Sequence, residues 1–159
     1  MLRCHLICIG KLKEDYWRKA VHEYEKRLRS FCKFSVTELA ESRLPDKPSK
    51  AQIQYALDSE AERILNVTGN SDIVALCIEG KSVTSTQLAN FIQNTGLRGV
   101  SDISFIIGSS YGLSDQVKEK AVLKLSMSAM TFPHQLARVM LCEQVYRAFQ
   151  IINNGKYHK

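Results

Sequence analysis

No apolar run in this chain approaches the roughly 20 residues that a helix needs to span a bilayer, so no membrane-crossing helix is expected. The opening stretch, Met1 to Lys13, offers only Leu6–Ile9 as an apolar segment before Lys11. That is too short for the core of a secretory signal; it reads as a buried strand, and the expected location is cytoplasmic. The five cysteines, Cys4, Cys8, Cys32, Cys77 and Cys142, contain no C-x-x-C and have no neighbouring His/Cys cluster. An odd count without metal-ligand spacing argues against a disulfide framework or a zinc site. Reduced cysteines serving as small core hydrophobes are expected, and no metal is required. The first predicted strand is not followed by G-x-G-x-x-G, and no Walker A loop occurs anywhere. An ordinary dinucleotide fold and a P-loop NTPase are therefore disfavoured. Internal repeats, low-complexity tracts and domain linkers are also missing.

What is present is the material of one globular domain spanning residues 1–159. That length suffices for one proper core and is short for two. Hydrophobic residues make up 45% and charged residues 24% of the chain, both ordinary globular values. The net charge of +6 suits a polyanionic partner such as RNA. Arg3, Lys11, Lys13, Arg18, Lys19, Lys26, Arg27, Arg29 and Lys33 crowd the first fifth of the chain, interleaved with Glu14, Asp15, Glu23 and Glu25. A solvated helix face competes with a nucleic-acid surface as the explanation.

Strand-like and helix-like segments alternate. Residues 3–9 read as a strand, and 14–30 as an amphipathic helix with Trp17, Ala20, Val21, Tyr24 and Leu28 on its apolar stripe. Trp17 and Tyr24 are expected in the core rather than as base-stacking platforms. Residues 33–40 alternate as a half-buried strand does, 41–48 form a loop containing Pro45 and Pro48, and Ser49 caps a helix to about Val67. Residues 72–78 form a continuous apolar run, the mark of a central parallel strand. A loop E-G-K-S-V-T then leads to a helix from Ser85 to Asn94. Strand 102–107, a helix capped by Ser114 and running to Lys120, a short strand 122–126 and a last helix opened by Pro133 and reaching about Asn153 complete the chain. The order βαβαβαβαβα predicts an α/β domain with a five- to six-stranded, mostly parallel sheet flanked by helices.

Ligands of open α/β sheets sit beyond the carboxyl ends of the strands. The unusual loops there are Glu79-Gly80, Gly108-Ser109-Ser110-Tyr111-Gly112 and Met127 to Phe132. Gly108 and Gly112 permit close backbone approach and positive φ. A branched side chain at Gly108 is expected to intrude where a ligand meets the backbone. The last of these loops has neither an acidic pair nor a lysine. Backbone amides, apolar side chains and hydroxyls suit an adenine-bearing ligand more than a bare phosphate.

With these motifs the chain resembles the SPOUT-class methyltransferases, specifically the ribosomal RNA large-subunit methyltransferase H family. The likeness covers essentially the whole chain. It is carried by G-K-L-K-E-x-Y-W after the first strand, E-Y-x-K-R-L, F-I-I-G-S-S-Y-G-L, L-S-M-S-A-M-T-F-P-H-Q, E-Q-V-Y-R-A-F and the terminal Y-H-K. It implies a deep trefoil knot in the C-terminal half, a homodimer, S-adenosylmethionine held in the knot loops, and methylation of N3 of a pseudouridine in 23S rRNA. By the family pattern Leu76, Gly108, Met127, Ser128, Ala129, Met130, Thr131 and Phe132 contact the cofactor. Ser109 stands where a second glycine is usual, and Ala129 where a lysine is common.

Methyl transfer from a sulfonium is an in-line displacement that requires alignment and exclusion of water. The imide proton of N3 asks for a base or for a site favouring the anion. His158 is the first candidate for that role, with Tyr157 beside it. Arg147 is a candidate for phosphate or imide-oxygen contact, against an ordinary helix ion pair with Glu143. His134 either supports the cofactor loop or caps the last helix. Leu136, Val139, Met140, Val145, Tyr146, Phe149 and Ile152 supply the expected dimer surface, and the tail after Gly155 is then placed to reach the partner's pocket. A non-catalytic RNA- or ribosome-binding protein is the alternative from another class. An enzyme acting on a small-molecule substrate is a third.

Overall fold

The computed structural model describes residues Met1 to Lys159. The chain forms β1 (Arg3–Ile9), α1 (Asp15–Leu28), β2 (Lys33–Leu39), α2 (Lys50–Thr68), β3 (Asp72–Ser82), α3 (Ser85–Leu97), β4 (Asp102–Ile107), α4 (Asp115–Lys120), β5 (Leu123–Ser126) and α5 (His134–Ile152). The strands make one five-stranded sheet in the order β2-β1-β4-β3-β5, with every pairing parallel. The expected fold class holds, and no sixth strand is added.

Parallel strands covered on both faces must be apolar on both faces, and period-two alternation divides them cleanly. Cys4, Leu6 and Cys8 of β1, Val74 of β3, and Ile103, Phe105 and Ile107 of β4 point to the side covered by α1, α3 and α5. Ile7 and Ile9, Ile73 and Ala75, and Ile106 point to the side covered by α2 and α4. Cys4, Cys8, Cys32 and Cys142 are all buried core residues, as the sequence suggested. Burial pushes the Cys8 thiol up to about 12, and raises Cys142 as well. Trp17 and Tyr24 are half-buried against the larger core.

The helix starts follow capping chemistry. Ser49 and Gln52 form a reciprocal capping box at the head of α2, and Ser114 accepts from the Gln116 N–H at the head of α4. At α3 the cap is Thr84 with Gln87, one residue before the expected start, and the helix runs on to Leu97. Pro133 is the residue before α5 rather than part of its first turn. Its missing N–H costs nothing there, and its carbonyl accepts from Ala137 at 2.9 Å.

One local prediction fails informatively. Glu79 to Ser82, expected as a loop, belong to β3. Leu76 and Lys81 both align with Leu125 of β5, so Cys77–Gly80 bulge out between them. Gly80 makes the bulge possible: a Cβ there would lie 2.8 Å from the Lys124 and Leu125 backbone. The apolar run ends inside the bulge, at Ile78, and the polar residues Glu79 to Ser82 that follow carry no strand pattern.

α5 is unusual in having no fully exposed residue from His134 to Ile152. Leu141, Cys142, Val145, Ala148 and Phe149 are buried in the chain's own core. This corrects the expected dimer surface, because Val145 and Phe149 are already spent inside the subunit. Leu136, Val139, Met140, Tyr146 and Ile152 are only half-buried. Arg138 is buried too, paired with Glu38 and donating to the Gly10 carbonyl at 3.2 Å.

Candidate active site

The carboxyl ends of β4, β3 and β5 lie side by side, so the loops that follow them converge on one open cleft. Leu76, Gly108, Met127, Ser128, Met130, Thr131 and Phe132, all expected as cofactor contacts, line it. Ala129 does not; it is exposed within the same loop. The cleft also takes in Cys77 and Ile78, Ser109 and Ser110, and His134 and Ala137. Cys77 and Ile78 reach it because of the β3 bulge, which sequence reasoning missed. His134, open between two roles, faces the cleft at the start of α5.

The two glycines of the β4 loop do different jobs. Gly112 has φ of +91°, a conformation that side-chain-bearing residues avoid. Its N–H donates to the Ser109 carbonyl at 2.8 Å and closes a tight turn with Ser110 and Tyr111 at its tip. Gly108 has no positive φ. Its need is for space: a Cβ would sit 2.3 Å from the Gly112 carbonyl oxygen and 2.9 Å from Leu113. The expected obstacle at Gly108 therefore strikes the loop itself before any ligand.

The β5 loop is also held from within. Ser126 Oγ donates to the Ser128 carbonyl at 3.2 Å, and Ser128 Oγ accepts from the Met130 N–H at 3.0 Å. No Asp, Glu, Lys or Arg side chain lines the cleft. Burial and then the nearby Glu79 raise the Cys77 thiol, keeping it neutral. Beside the bulge, Glu79 and Lys118 form an ion pair. Lys118 holds the Glu79 carboxyl below its usual range, and Glu79 raises Lys118. No group of three His, Cys, Asp or Glu side chains is arranged to hold a metal ion.

The tail residues form a second cluster on α5. Arg147 is bound to Glu143 at 2.7 Å, so the helix ion pair exists. The same guanidinium lies 4.6 Å from the centre of the Tyr157 ring and 3.4 Å from His158 Nδ1. Tyr157 donates to Glu143 at 3.0 Å and packs edge-on against Tyr146. Glu143 raises Arg147 further. Arg147, Tyr157 and His158 are thus brought together, as a surface group. The group is not in its own chain's cleft: Arg147 lies about 15 Å beyond Ala137 along the helix, at 1.5 Å per residue.

A family model for SPOUT methyltransferases, described as "Predicted SPOUT methyltransferase", matches residues 2–158. Relatives named ribosomal RNA large subunit methyltransferase H are similar over their full length. That of Streptococcus uberis is 44% identical over 159 residues, covering 99% of this chain and 100% of its own. That of Clostridium acetobutylicum is 48% identical over 155 residues, covering 97% and 98%. A solved structure, a probable methylase family protein from Haemophilus influenzae, superposes with a TM-score of 0.52 at 15% identity, over 99% of this chain and 70% of that one, and so supports the fold alone. The chain belongs to the ribosomal RNA large subunit methyltransferase H family of SPOUT methyltransferases.

Proposed function

We propose that the protein is an S-adenosylmethionine-dependent methyltransferase that methylates N3 of a pseudouridine in 23S rRNA on the assembled ribosome, working in the cytoplasm as a homodimer with a trefoil-knotted C-terminal half. The observation that carries this reading is the cleft itself: uncharged, apolar and hydroxyl-lined, with its walls formed by glycine-bearing loops at the carboxyl edge of the sheet. Such a lining, with no cationic side chain, fits an adenosine with a sulfonium side chain better than a phosphorylated cofactor.

The cofactor supplies an electrophilic methyl group. Leu76, Gly108 and the Met127–Phe132 loop hold it through backbone and apolar contact, and the closed Ser109–Gly112 turn keeps one wall rigid. The chain's remaining task is to bring a deprotonated N3 in line and exclude water. His158 is the group proposed to take or position that proton, Tyr157 to pack on the base, and Arg147 to hold an oxygen or phosphate. Their separation from the cleft of their own chain supports a shared site, in which one subunit's tail completes the partner's cleft. Leu136, Val139, Met140, Tyr146 and Ile152 are the half-buried apolar residues of α5 available to that interface.

The test is incubation with labelled S-adenosylmethionine and ribosomes lacking the modification, followed by mapping of the methylated base. Label at N3 of a 23S pseudouridine is expected. Binding of ribosomes without label would return the non-catalytic reading, and label on a free nucleoside at any salt concentration would return the small-molecule one.

A further inference from the structure

The loop after β1 is pinned more firmly than an exposed loop of five residues requires. The Gly10 N–H donates to the Leu39 carbonyl at 2.8 Å, and the Gly10 carbonyl accepts from buried Arg138. The Leu12 N–H donates to Glu38 at 2.9 Å, the Leu12 carbonyl accepts from Arg18 at 3.1 Å, and the Leu12 side chain is itself buried. Glu38 is in turn held by Arg138. The loop is fixed on both sides of Leu12, and the exposed residues flanking that anchor are Lys11 and Lys13.

β2 neighbours β1, so the loop leading to α2 lies beside this one at the same carboxyl edge of the sheet. It carries Arg43, Lys47 and, at the start of α2, Lys50, all exposed. None of these cations forms an ion pair, although Glu14, Glu41 and Asp46 share the two loops. At the opposite edge of the sheet Lys33 is exposed and likewise unpaired, but two arginines are not. Arg3 there is neutralised by Asp102 and Arg98 by Asp72. On the outward face of α1, Arg18, Lys19 and Arg27 are likewise paired, with Asp15 and Glu23. Cations left unpaired on a rigid loop lose little further entropy when an anion arrives.

We infer that the two loops following β1 and β2 form the surface on which the rRNA backbone docks, with Lys11, Lys13, Arg43, Lys47 and Lys50 contacting phosphates beside the cleft. The inference rests on the RNA reading of the cleft and gives that reading a location: the polyanion crosses the β1 and β2 end of the same edge whose β3, β4 and β5 end holds the methyl donor. The contacts are with backbone phosphate, so they orient the RNA without reading its sequence.

The docking test is sedimentation of the full-length protein with ribosomes over a range of salt concentrations, which needs no turnover. Removing three phosphate contacts lowers the salt slope by roughly two to three. The Lys11→Ala, Lys13→Ala, Lys47→Ala triple is expected to lose at least tenfold in ribosome affinity at moderate salt and to show that shallower slope. Its affinity for S-adenosylmethionine, measured by calorimetry, should be unchanged. A triple of equal charge, Lys26→Ala, Arg29→Ala, Lys33→Ala, removes exposed cations around the end of α1 and the start of β2, away from the cleft edge, and should behave as wild type. The docking surface is overturned if the first triple keeps the wild-type slope, or if both triples weaken binding equally. Wild-type protein that sediments with ribosomes yet transfers no methyl would instead sink the catalytic reading and leave the docking surface standing.

Discussion

Replacing Gly108 by alanine adds one carbon where the loop has no room for it. The new Cβ would meet the Gly112 carbonyl oxygen at 2.3 Å and its carbon at 2.7 Å. Backbone has to move by about 1 Å to restore ordinary contact, the scale on which overpacked sites cost about 1–3 kcal/mol. The turn bond from Gly112 to Ser109 lies in the path of that movement and contributes about 1 kcal/mol. The expected loss is about 2–3 kcal/mol, a fall of roughly 5–10 °C in Tm for a chain of this size. The cleft wall shifts with the loop, so S-adenosylmethionine affinity should fall at least tenfold, about 1.4 kcal/mol. Gly96→Ala is the control. It adds the same carbon within α3, where nothing lies within 4 Å and φ is not positive. That change should raise stability by about 0.5–1 kcal/mol and leave binding alone. Differential scanning calorimetry and titration calorimetry on both variants read the outcome. A Gly108→Ala protein that melts and binds like wild type would refute the argument from close approach.

Further outcomes follow from the same coordinates. Removing Tyr157 to Lys159 should leave the melting temperature and cofactor affinity nearly unchanged, since these residues are exposed, while methyl transfer to ribosomes falls at least roughly tenfold; normal turnover would remove His158 from the mechanism. In the native protein Cys77 is the only cysteine that is not buried and it lines the cleft, so a thiol reagent should modify it before the other four, and S-adenosylmethionine should protect it. Arg138→Met leaves the part-exposed Glu38 with only the Leu12 N–H and strands the Gly10 carbonyl, and should cost about 1–2 kcal/mol in urea unfolding; a loss below about 0.5 kcal/mol would show that the pair is dispensable. Cys8 is raised from 9.0 to about 12 on folding. The folded state therefore holds its proton more tightly, and this contribution is intact below pH 9 and declines as pH rises toward 12. Cys8→Ala should flatten the alkaline fall in unfolding free energy relative to wild type.

Much of this was legible in the chain. Continuous apolar runs marked β3 and β4, and Ser49 and Ser114 marked helix starts, because strand burial and capping are local demands that residue type must meet. The cleft loops were legible through Gly108, Gly112 and the small residues after β5. Three features were not. The β3 bulge depends on how Gly80 meets Lys124 and Leu125 across the sheet, a contact that no window along the sequence contains. Nothing local to Arg138 marks it as buried; its burial is decided by Glu38 and Gly10, far away in the chain. The folding of Tyr157 and His158 onto Glu143 and Arg147 needed the turn at Asn154, which has φ of +53°. At Gly108 the residue type marks a close approach, but the neighbour it must clear is a carbonyl four residues on, which the sequence does not reveal.

The position of α5 bears on how the protein folds. It contributes Leu141, Cys142, Val145, Ala148 and Phe149 to the core shared with β1, β4, α1 and α3, yet it follows all of those elements in the sequence. A chain that has paired β1, β2, β4 and β3 still presents an uncovered apolar sheet face until α5 docks. Folding is therefore expected to be slow, because it is governed by contacts between segments far apart in the sequence. Until α5 docks, that uncovered face is the surface through which a partly folded chain is expected to aggregate.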